Sequence, residues 1–476
     1  ASSGRTLSVS GLDVTADAGA LAGPWRASGR AVIGDEPVEV RLTTGAPEPE
    51  GTRVKLGLVA DGGSQRAEID GRFVVADGRA MLEGRVSASG RLRWPDRDAF
   101  AARPWSFAGA LKLAGRSGTL DGIELDAGGD EAPVKFTGTG QVELGAEPRL
   151  RLALESKQID LDRPFTGPIA LGQPSPFVPF GTIVPGWLAA LGSGTGGLVP
   201  LLPIDISLTV PNIIAGGDTL SGVSVDATLA AGRIQVRTVS ATLPGATALQ
   251  ARGDAALGDG GRFAGRVSLR TRDAARLFAW AEGERGGRSV RIGDVRDLSF
   301  DADVSLTSTV FAARSIRVAL DRSQILGTVR YSLPEGGSRG RFEAQLTADG
   351  LAIDQVPDLS TLTGAARGLD VMLTIDARNV RVGQATGPNV GAGRVGLRLA
   401  VSPDGIQVDT LDIADVGGAT VRASGSVGVA GGRLDATVDA RRVEPLAELL
   451  RKLVPGRLPA MLAARAPTLG PLRMRI

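Results

Sequence analysis

Apolar residues fall at every second position in short runs along this chain, and the runs come in pairs. Leu150, Leu152 and Leu154 alternate with Arg149, Arg151 and Ala153. Val267 and Leu269 alternate with Arg266, Ser268 and Arg270. Phe342, Ala344, Leu346 and Ala348 alternate with Arg341, Glu343, Gln345 and Thr347, and Val371, Leu373 and Ile375 form another such set. A last one is Leu434, Ala436, Val438 and Ala440. Period-2 patterning of this kind predicts strands with one dry and one wet face, as in an antiparallel sheet with water on one side.

The runs recur as a unit: an alternating run meets a glycine, continues, turns, and returns. AEIDGRFVVADGRAMLEGRVSASG (Ala67 to Gly90), LQARGDAALGDGGRFAGRVSLRTRD (Leu249 to Asp273) and VRASGSVGVAGGRLDATVDARRVEP (Val421 to Pro445) are three copies, with looser ones around Gly140 and Gly327. Asp77-Gly78, Gly260-Gly261 and Gly431-Gly432 are the predicted tight turns, because both central residues of such turns favour positive φ. A repeated hairpin predicts an elongated, quasi-one-dimensional β protein.

Three segments break the pattern. Pro164 to Ile204 carries eight prolines and no charged residue. So many helix breakers rule out a membrane-spanning helix there. A short helix is predicted around Trp187, Leu188 and Leu191, with Pro185 in its first turn and Gly192 at its stop. This insert reads either as an apolar flap over a groove or as a connector packed on the sheet. The second break, DAARLFAWAEGE (Asp273 to Glu284), predicts a helix with Asp273 as N-cap and Ala274, Leu277, Phe278 and Ala281 on one face. The third, EPLAELLRKL (Glu444 to Leu453), predicts a helix with Pro445 in its first turn. Both helices follow a repeat hairpin and read as covers for a sheet end or edge.

Composition narrows the chemistry. The chain of 476 residues has 67 glycines and only 4% aromatic residues, so Leu, Val, Ile and Ala must build the dry face. Lys+Arg (54) and Asp+Glu (52) nearly cancel, and there is no basic stripe with interleaved aromatics, which argues against nucleic acid as a partner. With no cysteine there is no disulfide or thiolate chemistry; with no histidine the commonest general base and metal ligand is missing. Asp160/Asp162 and Asp301/Asp303 are carboxylate pairs on one strand face and read as solvated, not metal-binding. Gly192 to Gly197 lacks the Lys-Ser/Thr ending of a phosphate loop, and no Gly-x-Ser-x-Gly elbow occurs. No catalytic residue, metal site or cofactor is assigned.

A sheet this long must hide its dry face by closing, stacking or curling lengthwise into a trough. The modest inward residues, such as Ala344, Ala348, Ala436 and Ala440, would leave space in a trough. Candidate lining residues are Leu150, Leu152, Leu154, Val267, Leu269, Val304, Leu306, Phe342, Leu346, Val371, Leu373, Ile375 and Val438, with Trp187, Leu188 and Leu191 as a flap.

LPGAT (Leu243 to Thr247) with the following ARGDAALGDGGRFAGRVSLRTRDAARLFAWAEG, and GGRLDATVDARRVEPLAELL, resemble the AsmA family of Gram-negative envelope proteins. WRASGRAVIGDEPVEVRLTTG (Trp25 to Gly45) and LALESKQIDLDRP (Leu152 to Pro164) are similar to that family too, so the resemblance covers nearly the whole chain. It implies a mainly β fold: an elongated antiparallel repeat sheet curled into a taco-like groove, with a few short helices. It also implies a periplasmic body anchored to the inner membrane, phospholipids as cargo, and outer-membrane components as further partners. The family's N-terminal membrane helix is not in this sequence, which opens at Ala1-Ser2-Ser3 and reads as a piece of a longer protein or a mature form.

The expected organisation is a β-groove segment over 1–162, the apolar insert over 163–204, further groove repeats over 205–443 with a helix near 273–284, and a helix plus the start of a strand over 444–476. The expected function is a bridge-like lipid-transfer protein that shields acyl chains. The alternative is a non-transporting β-solenoid or adhesin-like scaffold with a filled interior. A carboxylate hydrolase is the third reading, with no clustering of Asp and Glu behind it.

Overall fold

The computed structural model describes residues 9–20, 23–33, 36–95, 100–127, 134–160, 202–215, 217–257, 261–282, 296–334, 339–353, 369–382, 390–416, 419–428, 431–444, 447, 461, 464–466 and 471–475. Nearly all of it is strand, as the alternation predicts, and the chain forms two compact units. One comprises Ala1–Pro244 with Ala248–Gly265, the other Gly245–Thr247 with Arg266–Ile476.

In the first unit, β1 (Val9–Ala18), β2 (Trp25–Ile33), β3 (Glu36–Thr44) and β4 (Thr52–Ala60) open a meander. It continues through β5 (Gln65–Ala76), β6 (Arg79–Pro95), β7 (Phe100–Ala114), β8 (Ser117–Ala127), β9 (Val134–Glu143) and β10 (Arg149–Glu155). Each pairs antiparallel with the next. Then come β11 (Ile159–Asp160), β12 (Ile204–Ala215), β13 (Asp218–Ala230), β14 (Arg233–Leu243) and most of β15 (Thr247–Ala256). β16 (Arg262–Thr271) is divided between the units at Gly265.

The second unit holds the helix α1 (Ala274–Glu282) and β17 (Leu298–Leu306), β18 (Val310–Leu320), β19 (Ser323–Ser332) and β20 (Gly340–Asp349). β21 (Ala352–Ile353), β22 (Leu369–Val382), β23 (Val390–Ser402) and β24 (Gly405–Val416) follow. β25 (Ala419–Gly428), β26 (Gly431–Ala440) and β27 (Leu472–Arg475) complete it. Strands β17 to β20 and β22 to β27 pair antiparallel in chain order.

Each unit contains a parallel step that the hairpin pattern does not announce. β10 and β11 both run parallel to β12, placing Leu150 opposite Ile204 and Ile159 opposite Ile213. β20 and β21 run parallel to β22 in the same way, with Gly340 opposite Leu369 and Ala352 opposite Arg381. A two-residue turn cannot join parallel neighbours; a crossover of a dozen or more residues is needed. Both steps span long intervals between paired strands, 161–203 and 354–368.

Asp77 and Gly78 form the predicted tight turn, with φ of 52° and 71° between the paired residues Ala76 and Arg79. Gly431-Gly432 is not a turn. Gly428 pairs with Gly431 and Val427 with Gly432, so these glycines begin β26 and the connection lies one step earlier. Asp273 caps α1 as predicted, its Oδ1 accepting from Arg276 N at 3.1 Å, and Ala274 and Leu277 are buried. Thr271 Oγ1 donates to Gly245 O at 2.9 Å, tying the LPGAT turn to the entry of this helix. The expected strand near the C-terminus is β27. Trp187, Leu188 and Leu191, the rest of the apolar insert up to residue 201, Gly260, and most of the helix placed over 444–453 lie outside the described residues.

Candidate functional site

Strand pairing assembles the alternating residues into rows. In the second unit one row takes one residue from each of β17 to β20 and β22 to β26: Val304, Ala313, Val329, Ala344, Leu373, Leu399, Val408, Gly425 and Leu434. On one side of it runs Leu306, Phe311, Tyr331, Phe342, Val371, Val401, Ile406 and Val427. On the other side lie Ile316, Gly327, Leu346, Ile375, Leu397, Leu411, Ala423 and Ala436, then a row from Phe300 through Ala348 and Ala377 to Val438. Across these rows Tyr331 is the sole polar side chain.

The first unit repeats the arrangement. Phe73, Leu82, Leu113, Gly118, Val142, Leu150, Ile204, Leu229 and Ile234 form a row from β5 to β14. Leu152 and Leu154 head the neighbouring rows toward Ile206 and Leu208. Leu150, Leu152 and Leu154 pack against the buried trio Leu111, Leu120 and Ile123.

At about 4.8 Å between strands and 3.3 Å per residue, the apolar face in the second unit extends about 38 Å by 20 Å, or roughly 750 Å² in projection. Part of that area is covered, since Ala313, Ile316, Ala344, Ala348, Ala377, Val401 and Ile406 in these rows are buried. The face is neither fully open nor filled. Leu150, Leu152, Leu154, Val267, Leu269, Phe342, Leu346, Val371, Leu373 and Ile375 are half-buried, whereas Val304, Leu306 and Val438 are buried. Among the described residues the apolar clusters within the strands draw on neighbouring strands of one sheet, such as Val371, Leu399, Val401, Ile406 and Val408, while Val443, Ala447 and Ala466 form a separate one against Leu472 of β27.

The opposite face carries the charge. Arg53 grips Asp70 through two bonds, Nε to Oδ1 at 3.1 Å and Nη2 to Oδ2 at 2.9 Å, and the bond from Arg53 lowers the Asp70 pKa. Lys55 meets Glu68 at 2.8 Å, Arg151 meets Glu143 at 2.8 Å, and Arg341 meets Glu343 at 2.6 Å. These exposed pairs are each worth about 0–1 kcal/mol and mainly keep this side wet. The tightest group surrounds Asp205, beside the parallel step. Arg149 reaches its Oδ2 at 3.1 Å; Arg237 and Thr228 reach its Oδ1 at 3.1 and 2.6 Å. Burial pushes the Asp205 carboxyl up, but bonds from Thr228 and Arg237 and the charges of Arg149 and Arg237 outweigh it and hold the pKa down. Two open recesses of ≈ 560 and ≈ 580 Å³ also lie on this side, lined by groups such as Arg398, Asp412 and Arg422, or Arg341, Ser402 and Gln407.

Among the described residues no group of three or more acidic side chains is placed to hold a metal. Asp301 and Asp303 face Arg317 and Arg314 across a bulge. No described helix is long and apolar enough to cross a membrane.

Sequence reading missed about half of the face: Phe311, Ala313, Val329, Tyr331, Leu399, Val401, Ile406 and Val408. The run Val395, Leu397, Leu399, Val401 alternates as plainly as Val371, Leu373, Ile375, and marks β23. Compared with family models, with curated proteins and with solved structures, the chain matches none.

Proposed function

We propose that this chain is part of a periplasmic, bridge-like lipid-transfer protein of the AsmA kind, anchored to the inner membrane by a segment outside this sequence. Its apolar faces shield phospholipid acyl chains on the way to the outer membrane, and it catalyses no reaction. One observation carries this reading: each unit has a partly exposed apolar face many strands wide, backed by a charged face, and in the second unit Tyr331 is its one polar side chain. An acyl chain needs a dry surface without hydrogen-bonding groups, and a carrier needs its other side to be soluble.

Native mass spectrometry of detergent-free protein tests it. Phospholipid should co-purify with the chain. Leu373→Asp places a charge amid Ala344 and Leu399, an insertion that costs about 2 kcal/mol or more, so lipid retention should fall roughly 30-fold. Glu343→Gln, on the charged face, should leave it unchanged. Protein that never carries or takes up lipid would sink the proposal and leave the scaffold reading in its place.

A further inference from the structure

Tyr331 is the single tyrosine of the chain and the one polar side chain in the second unit's apolar rows. It lies next to the last residue of β19, so it stands at the lip of the face, directly opposite Phe311 on β18 and Phe342 on β20. It is half-buried, and its hydroxyl has no hydrogen-bond partner among the described residues. Burial raises its pKa, as it does for a phenol drawn away from water. The other hydroxyl on this side, Ser323, sits at the opposite end of β19 and is satisfied, donating to Gly350 O at 2.8 Å.

A tyrosine with an apolar body and an unmet hydroxyl suits a boundary where one side of a ligand is greasy and the other polar. The cations nearest in sequence and register, Arg314, Arg330 and Arg341, are exposed and alternate onto the charged face. Among the described residues, the row through Tyr331 therefore holds one neutral donor and no positive charge, and Arg339, in the adjoining connection, pairs with Asp370 on the charged face. A phosphate or a free carboxylate would want a cation there; an ester carbonyl needs only the donor.

We infer that Tyr331 is a hydrogen-bonding station for the carbonyl of an acyl ester whose hydrocarbon lies along the second unit's apolar face. This assignment rests on the lipid reading above. It makes the face selective for ester-linked lipids over chains of equal length without a carbonyl.

The test compares dioleoyl phosphatidylcholine with its dialkyl ether analogue on the full chain and on Tyr331→Phe, with oleate as a third ligand. One neutral hydrogen bond corresponds to about a five-fold preference. The ester should win by that factor on the native chain, and the preference should vanish in Y331F, which keeps the ring and the packing. Ester binding should also change the ultraviolet difference spectrum between the native chain and Y331F, in which the five tryptophans cancel. An equal ester-to-ether ratio in both proteins, or a preference that tracks oleate, would overturn the assignment and leave the lipid reading standing. Failure of all three ligands to bind would overturn both.

Discussion

Asp205 shows how much one charge can do on the wet side of such a sheet. It accepts from residues on three other strands, Arg149 on β10, Thr228 on β13 and Arg237 on β14, across the place where the hairpin order is broken. Replacing it by Asn keeps the shape but removes the charge that two guanidiniums share. Asp205→Asn should cost about 1–2 kcal/mol in urea unfolding at neutral pH. The sign with pH follows from its lowered pKa: the stabilisation is present above the unfolded carboxyl value near about 4 and disappears as pH falls through the folded value. Native and variant stabilities should therefore converge in acid. A gap that persists in acid would mean that packing, not charge, is responsible.

Among elements, what was legible depended on whether a strand kept its period of two. The β5–β6 hairpin was readable because Ile69, Gly71 and Phe73 alternate cleanly and Asp77-Gly78 supplies the turn. Other strands carry bulges that place same-face residues three apart: Leu120 and Ile123 around Gly122 (φ 56°), Ala313 and Ile316 around Ser315 (φ 51°). An extra residue in the left-handed region restores the face but hides it from any period-2 count. The parallel steps were illegible for another reason. Alternation says which side of a strand is dry, never which strand lies beside it, so the run Leu150, Leu152, Leu154 gives no hint of Ile204, Ile206 and Leu208 as neighbours. Tyr331 was invisible as a site because only the assembled rows show that its hydroxyl stands alone. Glycine inside a strand was noticed as a repeat, and its cause is close approach. A Cβ on Gly71 would meet Glu83 O at 2.6 Å and the Cα of Gly84, its cross-strand partner, at 3.0 Å. Gly71→Val should destabilise the hairpin by about 1–3 kcal/mol, read as a lower urea midpoint. Gly57→Ala, where nothing lies within 4 Å of the new methyl, should be close to silent. Equal losses would remove close packing as the explanation.

For the molecule as a whole, the arrangement of its core decides how it comes apart. In each unit the clusters described within the sheet join neighbouring strands, as Leu82, Leu111, Leu120, Val142 and Leu150 do from β6 to β10. Stability in such an array is close to a sum of nearest-neighbour terms, and local openings are independent of distant ones. Hydrogen exchange on the Gly71→Val variant should show lost protection in β4 to β7 and unchanged protection in β12 to β14 of the same unit. Loss spread evenly over that unit would mean a shared core. Because no central nucleus has to be rebuilt, a hairpin can be inserted or deleted while the rest goes on folding as before. The extent of such a sheet is then set by how many ribbons the gene encodes, so evolution can lengthen or shorten it by counting, without redesigning any contact.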